Sequence, residues 1–275
     1  MRPILFYLPF GLPLYAYGAM LTLSVIAGRM LAVRLAARAG IDPRLADRCS
    51  LWTFVGALVG ARLLYVVTNL DQFDSVIDVV RWWKGGVVAY GGFLGGLAGS
   101  IVFCRIHRVR LLVWADCAIP SVCLGLIVTR VGCFLAGCDF GRPWDGPWAV
   151  RFPAGSPAVV EQTLLGLLPR GALQSLPVHP TQLYESLAGV VLLAGVMAVR
   201  RRQARPGQAL AVFALGYAVL RYLIEMVRAD PNRGSLGPFS TSQVIALVTF
   251  LSASAFLYLR GRQADGARST PAVTV

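Results

Sequence analysis

The chain has 275 residues, of which 56% are hydrophobic and 14% charged, and it carries a formal net charge of +13. Soluble domains have about 25% charged residues, so this composition excludes an ordinary soluble fold and makes lipid the solvent for much of the surface. The positive charge lies in short arginine blocks between apolar runs. That pattern is typical of membrane topology and argues against a nucleic-acid partner.

Seven apolar segments are each long enough to cross a bilayer, which takes about 20 mostly apolar residues. We therefore predict an all-α membrane protein, a bundle of about seven transmembrane helices in a single domain over residues 1–260. The N-terminal apolar run has no convincing cleavage site and is interpreted as part of this bundle, not as a removable signal. Residues 261–275 are predicted to form a disordered cytoplasmic tail. The predicted spans are 14–36, 50–70, 87–105, 112–131, 181–199, 208–228 and 240–259.

The orientation of the bundle follows from the arginines, which concentrate in alternate loops at residues 38–48, 105–110 and 200–205 and in the tail. Loops rich in arginine stay in the cytoplasm. The N-terminus is then outside and the C-terminus inside. The longest outside segment, residues 132–180, is rich in Gly, Pro and Trp, and we predict that it forms a folded cap at the interface. We call it the cap segment.

A glycine-rich stretch covers residues 84–100, and from Gly91 onwards its glycines recur at a spacing of four. Small residues at that spacing allow helix backbones to approach closely. One interpretation is helix packing alone. The other is that Gly85 and Gly86 open a re-entrant turn beside a cavity and place Tyr90 in it.

Ionisable side chains inside the apolar spans are the strongest indication of a site. Insertion of each such residue costs about 2.5–3.5 kcal/mol, so each is expected to have a structural or functional role. Arg221 and Glu225 are four residues apart on one helix face, where they can pair. The residues concerned are Arg62, Arg130, Glu185, Arg221, Glu225 and Arg228.

Two interpretations of these charges remain open, a structural ion-pair network and an anion site. Guanidinium groups that share a cavity suit a phosphate, whose oxygens match their planar fork. In a membrane, the abundant phosphate is a phospholipid headgroup. His179 precedes the fifth span at the mouth of the same predicted cavity, either as a proton carrier or as a structural residue.

The six cysteines show no zinc-ligand spacing, and the glycine runs follow no strand of a βαβ unit. We therefore predict no metal and no soluble cofactor.

Six stretches of the chain resemble, in order, the motifs of the prolipoprotein diacylglyceryl transferase family, and together they extend over almost the whole length. The more specific ones are RVGCFLAGCDFGR at 130–142 and HPTQLYE at 179–185. The others are YAYG at 15–18, ARLLYVV at 61–67, GGVVAYGG at 85–92 and GYAVLRYLIEMVR at 216–228.

The resemblance implies a seven-helix enzyme of the bacterial cytoplasmic (inner) membrane, with its N-terminus outside and its active site towards the periplasm. Its expected substrates are phosphatidylglycerol and the signal peptide of a preprolipoprotein. The diacylglyceryl group passes to the lipobox cysteine, which forms a thioether, and glycerol phosphate leaves.

The resemblance also suggests roles for individual residues. Arg130 and Arg221 match the arginines that hold the phosphate and stabilise the transition state, and His179 and Tyr90 complete the expected catalytic set. Expected substrate-binding residues are Tyr17, Arg62, Gly91, Gly92, Gly132, Gly141, Tyr184, Glu185, Tyr217, Glu225 and Arg228.

Four positions depart from the family pattern, which usually has His at Tyr90, Asn at Cys133 and Ala136, and Glu at Cys138. A tyrosine with a pKa of about 10 is a poor base at neutral pH, which makes His179 the better candidate. The departures leave two alternatives open: a related enzyme with another acceptor or phospholipid donor, and a non-catalytic lipid-binding or lipid-transporting protein. A further hypothesis is a disulfide between the cysteines at 133 and 138.

Overall fold

The computed structural model describes residues 1, 3–73, 75–81, 85–202, 205–229, 235–237 and 239–269. Among them, seven helices are long and apolar enough to cross a membrane, which confirms the predicted number of spans. These are α1 (Ala16–Arg38), α2 (Pro43–Thr68), α4 (Ala89–Ile106), α5 (Leu111–Ala136), α7 (Thr181–Arg201), α8 (Gln208–Glu225) and α9 (Thr241–Ser269). Two shorter helices are α3 (Val76–Val80) and α6 (Pro157–Leu164).

Two small antiparallel hairpins accompany the helices. Strand β1 (Ile4–Tyr7) pairs with β2 (Pro13–Tyr15), and β3 (Ser235–Leu236) pairs with β4 (Phe239–Ser240). Each hairpin leads directly into a spanning helix, α1 and α9 respectively. The predicted disordered tail starts at residue 261, where α9 continues as a helix to Ser269, and residues 270–275 lie outside the described residues.

Helix boundaries differ from the sequence prediction where polar contacts intervene. Helix α2 begins seven residues earlier than predicted, at Pro43, because the Asp42 side chain accepts hydrogen bonds from the backbone amides of the first turn. Helix α8 ends at Glu225 instead of continuing to 228. The next turn is drawn towards the cap segment, where the Arg142 amide donates to the Val227 carbonyl at 2.8 Å.

The helices divide into two compact units. The first contains the described parts of Met1–Gly28 and Ile119–Val275, and the second contains Arg29–Ala118. In the second unit, the packing of α2 against α4 depends on small residues. A Cβ atom on Gly95 would lie 2.8 Å from the Gly60 Cα atom, so only glycines permit this approach.

The first unit has two apolar clusters. One lies among the spans, around Ile119, Cys123, Leu192, Val196 and Ala209. The other lies in the cap segment, around Phe140, Phe152, Ala158 and Val178. The cap segment is thus a folded structure with its own buried residues, although its first residues, 132–136, belong to α5. Its placement at the outer face stays a prediction.

Candidate active site

Three arginines from three different parts of the first unit converge on one carboxylate, that of Glu185 in α7. Arg130 from α5 donates through Nε to Glu185 Oε2. The Nη1 atoms of Arg221 and Arg228 lie 3.3 Å and 2.6 Å from Oε1. The side chain of Glu185 is only 5% exposed. Because bonds to charged groups are strong in a place that excludes water, this carboxylate fixes the three guanidinium groups relative to one another.

Two more carboxylates complete the cluster. Asp139, just after α5, accepts from Arg130 Nη1 at 3.0 Å and from Arg228 Nη2. Glu225 accepts from Arg221 Nη2 at 2.7 Å, and the Ser242 hydroxyl lies 3.1 Å from the same nitrogen. Three positive and three negative groups therefore balance, which offsets much of the cost of placing charges inside an apolar bundle. We call these six charged residues the arginine cluster.

The three guanidiniums are not equally enclosed. The Arg228 side chain is 2% exposed, whereas that of Arg130 is 23% exposed. Arg130 uses Nε and Nη1 for Glu185 and Asp139, and within the described residues no contact uses its Nη2 atom. A partly exposed donor group that two carboxylates hold in place is suited to receive an additional anion.

The first turn of α7 holds the backbone that carries Asp139. The Thr181 hydroxyl donates to the backbone carbonyl of Asp139 at 2.6 Å. The side-chain amide of Gln182 donates to the backbone carbonyl of Cys138, also at 2.6 Å. Both side chains are fully buried. The HPTQLYE stretch thus supplies Glu185 and, one turn earlier, the two residues that fix the segment after α5.

Close backbone packing also explains Gly141. Its amide donates to the His179 carbonyl at 3.0 Å. A Cβ atom at this position would lie 2.6 Å from the His179 Cβ and 2.8 Å from the Val227 carbonyl oxygen. Only glycine lets the cap segment pass between these two parts of the chain, one leading to α7 and the other to Arg228.

His179 lies in an aromatic setting beside α7. Its ring stacks on Trp144 with 4.3 Å between ring centroids, and its Nδ1 atom is 3.2 Å from the Tyr184 hydroxyl. That hydroxyl also accepts from Trp148 Nε1 at 2.7 Å. Burial lowers the pKa of His179 below its ordinary value. This shift favours the neutral imidazole, the form that can accept a proton.

The amino-acid sequence matches a known protein family over nearly its whole length. The profile of the prolipoprotein diacylglyceryl transferase family matches residues 3–259. The chain belongs to this family. The resemblance stated from the sequence motifs is thereby confirmed, and with it the assignment to a family of transferases.

Several relatives carry the name phosphatidylglycerol–prolipoprotein diacylglyceryl transferase. The chain is 30% identical to one from Clostridium tetani over 91% of its own length and 94% of the relative's. It is 36% identical to one from Thermosynechococcus vestitus, with 84% and 83% covered. A relative from Gloeobacter violaceus is 31% identical, with 90% and 88% covered.

The first unit contains most of the residues predicted for the transferase site. Among them, the arginine cluster joins five of the predicted residues through direct ion pairs, namely Arg130, Glu185, Arg221, Glu225 and Arg228. Gly132 packs against Tyr17 in the first turn of α1, since a Cβ atom at position 132 would lie 3.3 Å from the Tyr17 Cα. Tyr217 lines a narrow cavity together with Glu185 and Arg221.

The other four predicted residues, Arg62, Tyr90, Gly91 and Gly92, belong to the second unit. Arg62 is buried, and its guanidinium donates to five backbone carbonyls within residues 78–86. Arginine has five N–H donors, so a direct bond from this guanidinium to a substrate would require one of these to break. Arg62 thereby holds the turn in which Gly85 and Gly86 adopt positive φ angles of 81° and 86°.

Both cysteines that depart from the family pattern near this site, Cys133 and Cys138, are free thiols in the structure. The hypothesised disulfide is therefore not formed here. Their sulfur atoms and a carboxylate oxygen of Asp139 lie within 4.8 Å of one another, a grouping that could in principle hold a metal ion. The two Asp139 oxygens already accept from Arg130 and Arg228, so a cation would compete with a guanidinium for either oxygen.

The site residues predicted from the sequence do not include Asp139, Thr181, Gln182 or Ser242. Thr181 and Gln182 lie inside the HPTQLYE stretch, which was the available indication. Asp139 follows a departure from the family pattern and contacts a residue 89 positions away. No local pattern in the sequence indicates that contact.

Proposed function

We propose that this chain transfers the diacylglyceryl group of phosphatidylglycerol to the lipobox cysteine of preprolipoproteins, forming a thioether and releasing glycerol phosphate. The observation that carries the proposal is the convergence of Arg130, Arg221 and Arg228 around Glu185. Membership of the family and the names of the relatives support the same activity.

The phospholipid phosphate would bind at the exposed edge of the arginine cluster. Arg130 offers its Nη2 edge there, and Arg221 lies on the other side of the shared Glu185 carboxylate. Guanidinium groups bind phosphate oxygens in pairs. Carboxylates that hold these groups in advance reduce the reorganisation needed when the lipid enters.

The reaction forms a C–S bond and breaks a C–O bond at the C3 carbon of the diacylglyceryl group. The acceptor thiolate attacks this carbon, and the electron pair of the broken bond stays on the departing phosphate oxygen. Negative charge therefore grows on the phosphate in the transition state. Donors aimed at that charge lower the barrier, and removal of one such donor typically costs about 10²–10³ in rate.

The acceptor thiol must lose its proton, because the thiolate is the nucleophile. His179 is the proposed base. The lowered pKa favours the neutral imidazole. In the tautomer in which Nδ1 carries the ring hydrogen and donates to the Tyr184 hydroxyl, 3.2 Å away, the Nε2 atom is left to accept the thiol proton. Tyr90, which the sequence predicts as part of the catalytic set, belongs to the second unit and is assigned no step in this proposal.

The proposed setting is the bacterial cytoplasmic membrane, with the cap segment and the arginine cluster towards the periplasm. The N-terminus would be outside and the C-terminus in the cytoplasm, as the arginine-rich loops indicate. Trp144 and Trp148 in the cap segment support a position at the membrane interface.

A defined assay tests this function. Purified protein is mixed with phosphatidylglycerol vesicles and a lipobox peptide, and the peptide mass and free glycerol phosphate are measured. We expect equal amounts of diacylglyceryl-peptide and glycerol phosphate, and no product from a peptide in which the lipobox Cys is replaced by Ser. Lipid binding without either product would favour the non-catalytic alternative. Product from a different phospholipid only would favour a related enzyme with another donor.

A further inference from the structure

We infer that Asp139 is a positioning residue, which sets the orientation of Arg130 and Arg228 for the transfer reaction. The inference rests on the proposed function, since it assigns a role within the same site. Four charged groups form a closed ring of alternating sign. Arg130 contacts Glu185, Glu185 contacts Arg228, Arg228 contacts Asp139, and Asp139 contacts Arg130.

Closure of this ring determines what Asp139 contributes. Arg130 is held at Nε by Glu185 and at Nη1 by Asp139, so its guanidinium plane has two fixed points. Without Asp139, only the Nε contact remains among the described residues, apart from a Cys133 sulfur 3.9 Å from Nη1. The guanidinium could then rotate about its remaining contact. Because misplacement by about 1 Å can cost roughly 10²-fold in rate, this rotation would impair the reaction.

The backbone presents Asp139 in a fixed direction. Its φ angle is 59°, in the left-handed region, and Gly137 at φ 80° ends α5 just before it. Asp and Asn tolerate this region better than other residues with side chains. The carbonyls of Cys138 and Asp139 are held by Gln182 and Thr181. The backbone that carries the carboxylate is therefore held independently of the Asp139 ion pairs.

Asp139 also carries a charge opposite to that of the arginines, which suggests a competing role. A carboxylate that merely offsets positive charge would weaken the attraction of the site for phosphate. Its neutralisation would then tighten phosphate binding. A carboxylate that positions Arg130 has the opposite effect, since its neutralisation releases the donor that faces the phosphate. The direction of the change distinguishes the two roles.

A carboxylate can also be introduced at the neighbouring position, 138, to replace that of Asp139. The Cys138 sulfur lies 3.9 Å from Asp139 Oδ2, so a glutamate at position 138 would bring its carboxylate to the same region. Asp139→Asn preserves size and tolerance of the left-handed backbone. The double variant Cys138→Glu/Asp139→Asn then returns a carboxylate from the adjacent residue. Asp145→Asn, an exposed acid in the same segment, is the matched control.

The test measures kcat in the peptide assay and the Kd for glycerol phosphate by calorimetry, on protein checked for an unchanged unfolding temperature. We expect Asp139→Asn to lower kcat roughly 10²-fold and to weaken glycerol phosphate binding. The double variant should recover most of both losses, and Asp145→Asn should match the unmodified protein.

Near-normal kcat in Asp139→Asn, tighter glycerol phosphate binding, or no recovery in the folded double variant would overturn the positioning role. If the unmodified protein forms no product at all, the proposed function fails, and the direction of the change in Kd still decides whether Asp139 positions Arg130.

Discussion

Single residues in this protein are best understood from the balance of charge within the arginine cluster. Burying an unpaired ion is very costly, and the loss of one partner from a buried pair typically costs about 3–5 kcal/mol. Glu185 accepts from three arginines at once, which makes it the residue on which the arrangement most depends. The effects of substitutions here therefore have to be separated into effects on folding and effects on chemistry.

Substitution of the phosphate-binding arginines should abolish turnover. We expect Arg130→Ala and Arg221→Ala each to lower kcat by at least about 10²-fold while folded protein remains in the membrane. Arg130→Lys keeps the charge but loses the planar fork, and it should lose activity without the instability of an unbalanced cluster. Transfer assays and thermal unfolding in detergent measure both effects.

Arg170→Ala removes an exposed arginine of the cap segment and serves as the control. Near-normal activity in either Arg130→Ala or Arg221→Ala would show that the phosphate binds elsewhere.

The pH dependence of the reaction should report His179. The pKa of this residue is lowered by burial, so its neutral form persists to a lower pH than that of an ordinary histidine. Activity that needs the neutral base is retained at neutral pH and falls as the pH drops through this lowered pKa. We expect His179→Gln to lower the rate about 10²–10⁴-fold and to remove the decrease in activity at acid pH. If kcat/KM of this variant still decreased at acid pH as in the unmodified protein, another group would be responsible for the pH dependence.

At the scale of the elements, sequence reasoning succeeded where the signal is local. Long apolar runs identified all seven spanning helices, because hydropathy and length are properties of a segment by itself. It failed at the end of α8, where the apolar pattern continues past Glu225 but the Arg142 amide holds the Val227 carbonyl. Asp139 was missed for the same reason, since its partner Arg228 is distant in the chain.

Glycines in α4 allow a matched test of helix packing. A Cβ atom on Gly91 would overlap the Gly60 carbonyl oxygen and lie 2.6 Å from the Leu64 Cβ, whereas one on Gly92 would meet nothing closer than 3.6 Å. Gly91→Ala should therefore destabilise the protein by about 1–3 kcal/mol. Gly92→Ala should stay within about 0.5 kcal/mol. Thermal unfolding in detergent measures the difference, and equal effects would contradict the close contact of α2 with α4.

For the molecule as a whole, the orientation in the membrane follows from the distribution of arginines and stays a prediction. We expect a single cysteine introduced in the cap segment, in a variant without the six native cysteines, to react with a membrane-impermeant thiol reagent from the periplasmic side. A cysteine in the arginine-rich turn between α4 and α5 should react only after the membrane is permeabilised. The reverse pattern would show that the bundle is inverted.

Complementation tests the central claim most directly. The native transferase of a bacterial host is depleted while this chain or its Arg130→Ala variant is expressed, and the lipid on a reporter lipoprotein is identified by mass spectrometry. We expect the unmodified chain to restore growth together with a diacylglyceryl-modified cysteine, and the variant to restore neither. A well-expressed chain that leaves the reporter cysteine unmodified would show that it does not catalyse this transfer.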